Sequence, residues 1–97
     1  MSRAVLIADN HRERAQQLAD ACRAHGLEPR TVGHGTRALE VALQHPPAVL
    51  VAPFDLPLID AAKLASILRA NPKTQQTRFV FLDDLQAGQA RQSDFLD

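Results

Sequence analysis

Three acids stand at or just beyond short apolar runs in this sequence. Asp9 follows Ala4-Val5-Leu6-Ile7-Ala8, Asp55 lies shortly after the run 48–52, and Asp83 follows Arg78-Phe79-Val80-Phe81-Leu82. Carboxylates gathered at one end of a sheet can hold a hard divalent cation such as Mg²⁺ or Ca²⁺, because such ions take oxygen ligands. The same acids have a plainer reading: Asp9 caps a helix, Asp55 is a solvated loop acid, and Asp83 caps the segment after it. The plainer reading is preferred and no metal or other cofactor is expected, since acids at strand ends are common in sheets of this kind. The four histidines, His11, His25, His34 and His45, share no helical face with one another. Cys22 and His25 are three apart, but no third or fourth ligand accompanies them. The histidines read as surface or helix-end residues, with His25 and His45 placed to meet helix C-termini. There is no G-x-G-x-x-G and no P-loop, and Gly33-His34-Gly35 alone is too short to count, so a nucleotide-dependent enzyme or oxidoreductase is disfavoured.

Positioning such residues is the work of the elements between them. Ala4 to Ala8 and Ala48 to Ala52 are continuous apolar runs, the pattern of strands buried on both faces. Leu27 to Val32 is more polar and predicts an edge strand, and Arg78 to Leu82 predicts a fourth. Asp9 or Asn10 is expected to cap a helix from His11 to His25 with Ala15, Leu18, Ala19 and Cys22 inward, stopped by Gly26. Thr36 is expected to cap a second helix carrying Ala38, Leu39, Ala42 and Leu43 inward and ending at Pro46-Pro47. Asp60 is expected to cap a third, with Leu64, Ile67 and Leu68 inward and Asn71-Pro72 at its end. The stretch 73–77 reads as a polar connection, and 85–97 as irregular or a short helix, followed by the possible start of a fifth strand near Phe95-Leu96. Strands alternating with helices predict an α/β fold, a doubly wound parallel sheet with right-handed crossovers and helices on both faces. Ligands of such sheets gather at the carboxyl ends of the strands.

Composition sets the outer limits. The chain has 97 residues, 11 Lys and Arg against 11 Asp and Glu, and one Cys. That length predicts a single domain over 1–97, regular over about 3–84. A zero formal charge lacks the basic footprint of a nucleic-acid binder, so no nucleic-acid partner is expected. No stretch approaches about 18 apolar residues, so no membrane insertion is expected. A lone Cys, read as a small core residue, fits a reducing compartment and a cytoplasmic location.

Val5-Leu6-Ile7-Ala8-Asp9-Asn10, Gly35-Thr36-Arg37-Ala38-Leu39-Glu40, the stretch 47–57 and Leu68-Arg69-Ala70-Asn71-Pro72 resemble the receiver domain of two-component response regulators. The resemblance implies a flavodoxin-like architecture, here incomplete at its C-terminal end because the fifth helix is missing. It also implies an acidic pair after the first strand, a phosphoacceptor Asp ending the third, a Pro four residues later, a Thr or Ser ending the fourth, and a Lys ending the fifth. Carried over by position, the acidic pair falls on Asp9 and Asn10, so one carboxylate has become an amide. The Pro falls on Pro57, which puts the phosphoacceptor position on Pro53, and Pro47 gives the same count from the other side. Proline has no nucleophile. The Thr or Ser position falls on Asp83, and the Lys cannot be placed.

Departures at Asn10, Pro53 and Asp83 on a retained scaffold are the pattern of a pseudo-receiver, a non-catalytic, phosphorylation-independent interaction or localisation module of bacterial signalling, possible as the N-terminal part of a longer protein. One competing reading keeps Asp55 as a displaced phosphoacceptor with a cation held by Asp9 and Asp83. Another is a small-ligand sensor at the strand ends. The loop 53–59 concentrates Phe54, Leu56, Leu58 and Ile59 where a receiver presents its working surface. Leu56 and Ile59 are expected to turn inward, and Phe54, Leu56 and Leu58 are the candidate contact residues for a protein partner. A face left with one helix also predicts self-association, as a homodimer covering the bare side.

Overall fold

The computed structural model describes residues 3–82 and 90–92. Its strands are β1 (Ala4–Ala8), β2 (Glu28–Val32), β3 (Val49–Pro53), β4 (Arg78–Leu82) and β5 (Ala90–Gln92), and its helices are α1 (Arg12–Ala24), α2 (Gly35–Gln44) and α3 (Ala61–Ala70). The sheet runs in the order β2-β1-β3-β4-β5. The first four strands are parallel, with Ile7 opposite Thr31 on one side and Val51 on the other. The chain steps outward from β1 to β2 and then returns to the far side of β1, so the topological switch lies between β1 and β3, the crevice where such sheets place their chemistry.

Alternation along the strands divides the core. Leu6, Ala8, Leu50, Ala52, Phe79 and Phe81 face α2 and α3, which supply Ala38, Val41, Ala42, Ala61, Leu64, Ala65 and Leu68. Val5, Ile7, Val51 and Leu82 face α1 through Ala15 and Ala19. On this second side Val49, Val80, Leu18 and Cys22 are only partly buried. Small alanines at every helix–sheet contact let the helices approach closely, and the large strand side chains fill the space between.

Several local expectations are corrected. α2 begins one residue before Thr36: His34 is its N-cap, and its Nδ1 accepts the Arg37 N–H at 3.2 Å. Ile67 is 38% exposed, whereas Leu64 and Leu68 are fully buried. The inward stripe of α3 therefore runs through Ala61, Leu64, Ala65 and Leu68. Asp60 caps that helix as expected, accepting from Lys63 N–H at 2.8 Å, and Gly26 ends the α1 segment with φ 77°. β5 adds an antiparallel edge to the four parallel strands, with Leu82 opposite Ala90. It lies a few residues earlier than the sequence placed a fifth strand, and the expected position at 93–97 falls outside the described residues.

The connection 73–77 is also more than a polar spacer. Thr74 and Thr77 are buried; Thr74 Oγ1 donates to the Leu68 carbonyl at 2.6 Å, and Thr77 Oγ1 donates to the Pro47 carbonyl at 2.7 Å. The second bond ties the entrance of β4 to the entrance of β3. Among the described residues no buried side-chain polar atom lacks a hydrogen-bond partner. Thr77→Val keeps the shape and strands that carbonyl, so a loss of about 1–2 kcal/mol is expected in urea denaturation. An unchanged midpoint would show that water replaces the hydroxyl.

Candidate functional site

At the carboxyl end of β1 the chain turns sharply into α1. Asp9 N–H donates to the Val32 carbonyl at 2.9 Å, which fastens the end of β1 to the end of β2. The Asp9 side chain then turns under the new helix and is completely buried. Its Oδ1 accepts the His11 N–H at 2.9 Å and Arg14 Nη2 at 2.9 Å, and its Oδ2 accepts Arg14 Nε at 2.5 Å. The Arg14 side chain is 11% exposed. The result is a side-on, two-point guanidinium–carboxylate pair, a geometry that a planar fork makes and an ammonium cannot.

This corrects a sequence reading. Asp9 does not cap α1, whose N-cap is His11 with no side-chain cap bond. Arg14, in the first turn of α1, is half-buried and paired. The pair was missed because it joins residues five apart across a strand-to-helix turn, where no helical or strand period applies. An acid ending a buried strand followed by an arginine in the first turns of the next helix is the signal that would have found it.

Asn10 is exposed beside this pair. Asn10, Arg12, Gln16, Thr31 and Gly33 border an open cleft of about 340 Å³ on the α1 side of the β1–β2 strand ends. Across the switch point β3 ends in Pro53, which is fully buried and opposite Leu82. Pairing of β3 with β1 stops earlier, at Val51, and a proline is tolerated in an interior strand only at such an end.

Beyond Pro53 the turn is built in layers. Leu56 is buried at 3% exposure, so it leaves the set of candidate contact residues, and Ile59 packs against the core from a half-buried position. Phe54 is 51% exposed and stacks on the buried ring of Phe81, with centroids 4.7 Å apart and planes 3° from parallel. Asp55 is exposed. Leu58 is 76% exposed and holds φ at 74°, a left-handed conformation costing an L-residue about 1–2 kcal/mol. An exposed leucine in a left-handed turn gains neither burial nor backbone ease. Asp83 lies outside the described residues.

Among the described residues no group of three or more His, Cys, Asp or Glu side chains is disposed to share a metal ion. Cys22 is half-buried against the α1 side of the core; burial pushes its thiol above the ordinary range, while Arg23 pulls weakly the other way. Such a thiol stays protonated and unreactive near neutral pH.

No family model and no curated protein matches the chain; its likeness is to solved structures. A protein of Chloroflexus aurantiacus J-10-fl assigned as a response regulator is 27% identical, with a TM-score of 0.77 over 84% of this chain and 66% of that one. The receiver domain of the Francisella response regulator 1452 is 25% identical, with a TM-score of 0.76 over 87% and 68%. The chemotaxis response regulator CheY4 of Vibrio cholerae is 18% identical, with a TM-score of 0.78 over 84% and 68%. The chain thus spans about two thirds of the length of these structures. It has the α/β fold of a response-regulator receiver domain, and among its described residues no helix is long and apolar enough to cross a membrane.

The receiver resemblance implies a divalent cation at the strand ends, and the described residues there do not fit one. Both Asp9 oxygens are already engaged by a cationic side chain, Asn10 offers an uncharged amide, and Pro53 offers no side-chain ligand. A hard cation needs several oxygens and favours charged ones.

Proposed function

We propose that this chain is a pseudo-receiver, a non-catalytic module over 1–97 that keeps the receiver scaffold for phosphorylation-independent binding of a protein partner in cytoplasmic bacterial signalling. The observation that carries the reading is Pro53. It stands fully buried at the end of β3, the position at which the receiver resemblance places the phosphoacceptor carboxylate. Proline has no oxygen to attack a phosphoryl group. Asp55 lies in the exposed turn beyond, and the Asp9 carboxylate that would hold its cation is occupied by Arg14.

The contact surface in this reading is the turn carrying Phe54 and Leu58. Backbone strain maintained at an exposed apolar residue is a feature of recognition sites, where stability is traded for a presented side chain. Leu58→Asn suits the left-handed backbone better and is expected to raise the melting temperature by a few degrees, in line with about 1 kcal/mol of relief. The same change is expected to weaken capture of the partner, as is Phe54→Ala.

The test combines two arms. Incubation with acetyl phosphate and Mg²⁺ should give no phosphoryl adduct by intact mass, and partner capture should be the same with and without the phosphodonor but fall in Leu58→Asn. An Mg²⁺-dependent adduct lost in Asp55→Asn would establish the displaced phosphoacceptor instead.

A further inference from the structure

We infer that Arg14 is the built-in counter-ion of the strand-end pocket: its guanidinium occupies the Asp9 carboxylate that a divalent cation would need, and makes the pocket indifferent to such ions. The inference deepens the pseudo-receiver reading and rests on it, since that reading says why a cation would be looked for here.

Three observations carry it. The carboxylate is engaged at both oxygens from within, because Oδ1 takes the His11 N–H and Arg14 Nη2 while Oδ2 takes Arg14 Nε. The pair is largely buried: the Asp9 side chain has no exposure and Arg14 has 11%, so dissolved salt screens their attraction far less than it screens a surface pair. Among the described residues at the strand ends little could repay displacement of the guanidinium, since Asn10 is neutral and exposed, Pro53 contributes no side-chain oxygen and Asp55 lies in the exposed turn beyond. An ion entering beside Arg14 would meet a fixed positive charge at short range. An ion entering in its place would have to expel a two-point hydrogen bond to the buried carboxylate.

The pair is also local. Asp9 and Arg14 are joined by the β1–α1 turn itself, so forming the pocket requires only that the strand end and the helix begin. A receiver that relies on a bound ion acquires its charge balance from solution, whereas this chain carries the balance in its own sequence. Partner binding by this module is accordingly unaffected by Mg²⁺ or by chelator.

The test follows backbone amides of the ¹⁵N-labelled 97-residue chain while paramagnetic Mn²⁺ is added, with Mg²⁺ as competitor. Wild type is expected to lose no intensity selectively at Asp9, Asn10 or Phe54. Arg14→Gln removes the charge and should show selective broadening at Asp9 and Asn10 that Mg²⁺ competes away and EDTA reverses. Arg14→Lys keeps a charge in place and should refuse the ion as wild type does.

Selective, saturable broadening in wild type overturns the inference, and so does an Arg14→Gln chain that folds and behaves like wild type. If Arg14→Gln is unfolded in EDTA, millimolar Mg²⁺ should restore a dispersed spectrum as the ion takes over the carboxylate; failure to do so counts against the inference equally. These outcomes are separable from failure of the pseudo-receiver reading, which is decided by the phosphoryl adduct.

Discussion

Arg14→Met is expected to cost about 3 kcal/mol of folding stability, the lower end of what breaking a buried ion pair costs, because Arg14 retains some exposure. The side chain is nearly conserved in volume, so the loss comes from stranding the Asp9 carboxylate, which has no exposure and cannot turn to water. A domain of this size has roughly 5–10 kcal/mol in total, so the melting temperature should fall on the order of 15 °C. Asp9→Asn should cost less, about 1–2 kcal/mol, because its amide oxygen can still accept from His11 N–H and the Arg14 side chain, 11% exposed, keeps some access to water. The double variant should lie close to Asp9→Asn alone, a coupling of more than about 1 kcal/mol in the cycle. The exposed pairs Arg23–Asp20 and Arg37–Glu40 provide the contrast: both sides of each are more than half exposed, and removing either should change stability by no more than a few tenths of a kcal/mol. Urea denaturation of the four proteins in the cycle checks the ordering. An Arg14→Met variant as stable as wild type would mean that water or another group satisfies Asp9 without the arginine.

What the sequence made legible is what local chemistry decides. Two unbroken apolar runs identified the interior strands β1 and β3, a glycine marked the stop of α1, an acid at Asp60 capped α3, and the alternation of strands and helices fixed a doubly wound sheet. The resemblance to receivers then put the acidic-pair position on Asp9 and Asn10 and the phosphoacceptor position on Pro53. The parts not legible are set by contacts distant in sequence or by the rotation of a helix on the sheet. Whether Ile67 or Ala65 faces inward depends on how closely α3 lies on the sheet, and small side chains won because they allow the shorter distance. The Thr77 bond to the Pro47 carbonyl spans thirty residues and leaves no periodic trace. The antiparallel β5 has only three residues, too short to show alternation. At the site, the acid was visible and its partner was not: Arg14 resembles every other arginine on an amphipathic helix until the turn before it brings the guanidinium under the strand end.

Gly35→Ala is expected to destabilise the protein by about 2–4 kcal/mol, although propensity alone predicts a gain of about 1 kcal/mol for alanine over glycine within a helix. The reason is a close approach of two backbones. Gly35 is the first residue of α2, and its N–H donates to the Pro57 carbonyl at 2.8 Å, drawing the start of the helix onto the turn that follows β3. A Cβ at this position would stand 2.1 Å from the Ile59 carbonyl oxygen, 2.7 Å from Ile59 Cβ and 2.8 Å from its carbonyl carbon. Backbone atoms cannot rotate away as a flexible side chain can, so the helix start and the turn must separate, lengthening the Gly35–Pro57 bond and loosening Leu56 and Ile59 from the core. Gly33→Ala is the control: a Cβ there meets nothing within 4 Å and the residue needs no left-handed backbone, so its stability should stay within about 0.5 kcal/mol of wild type. Because the displaced turn is the one that presents Phe54 and Leu58, Gly35→Ala should also shift the Leu58 amide resonance and weaken partner capture, even where enough folded protein remains to assay. A Gly35→Ala chain with an unchanged urea midpoint and an unmoved Leu58 resonance would show that the helix and the turn are not in contact. It would also sever the link between the scaffold and the presented surface, leaving the left-handed Leu58 without the support that holds it in place.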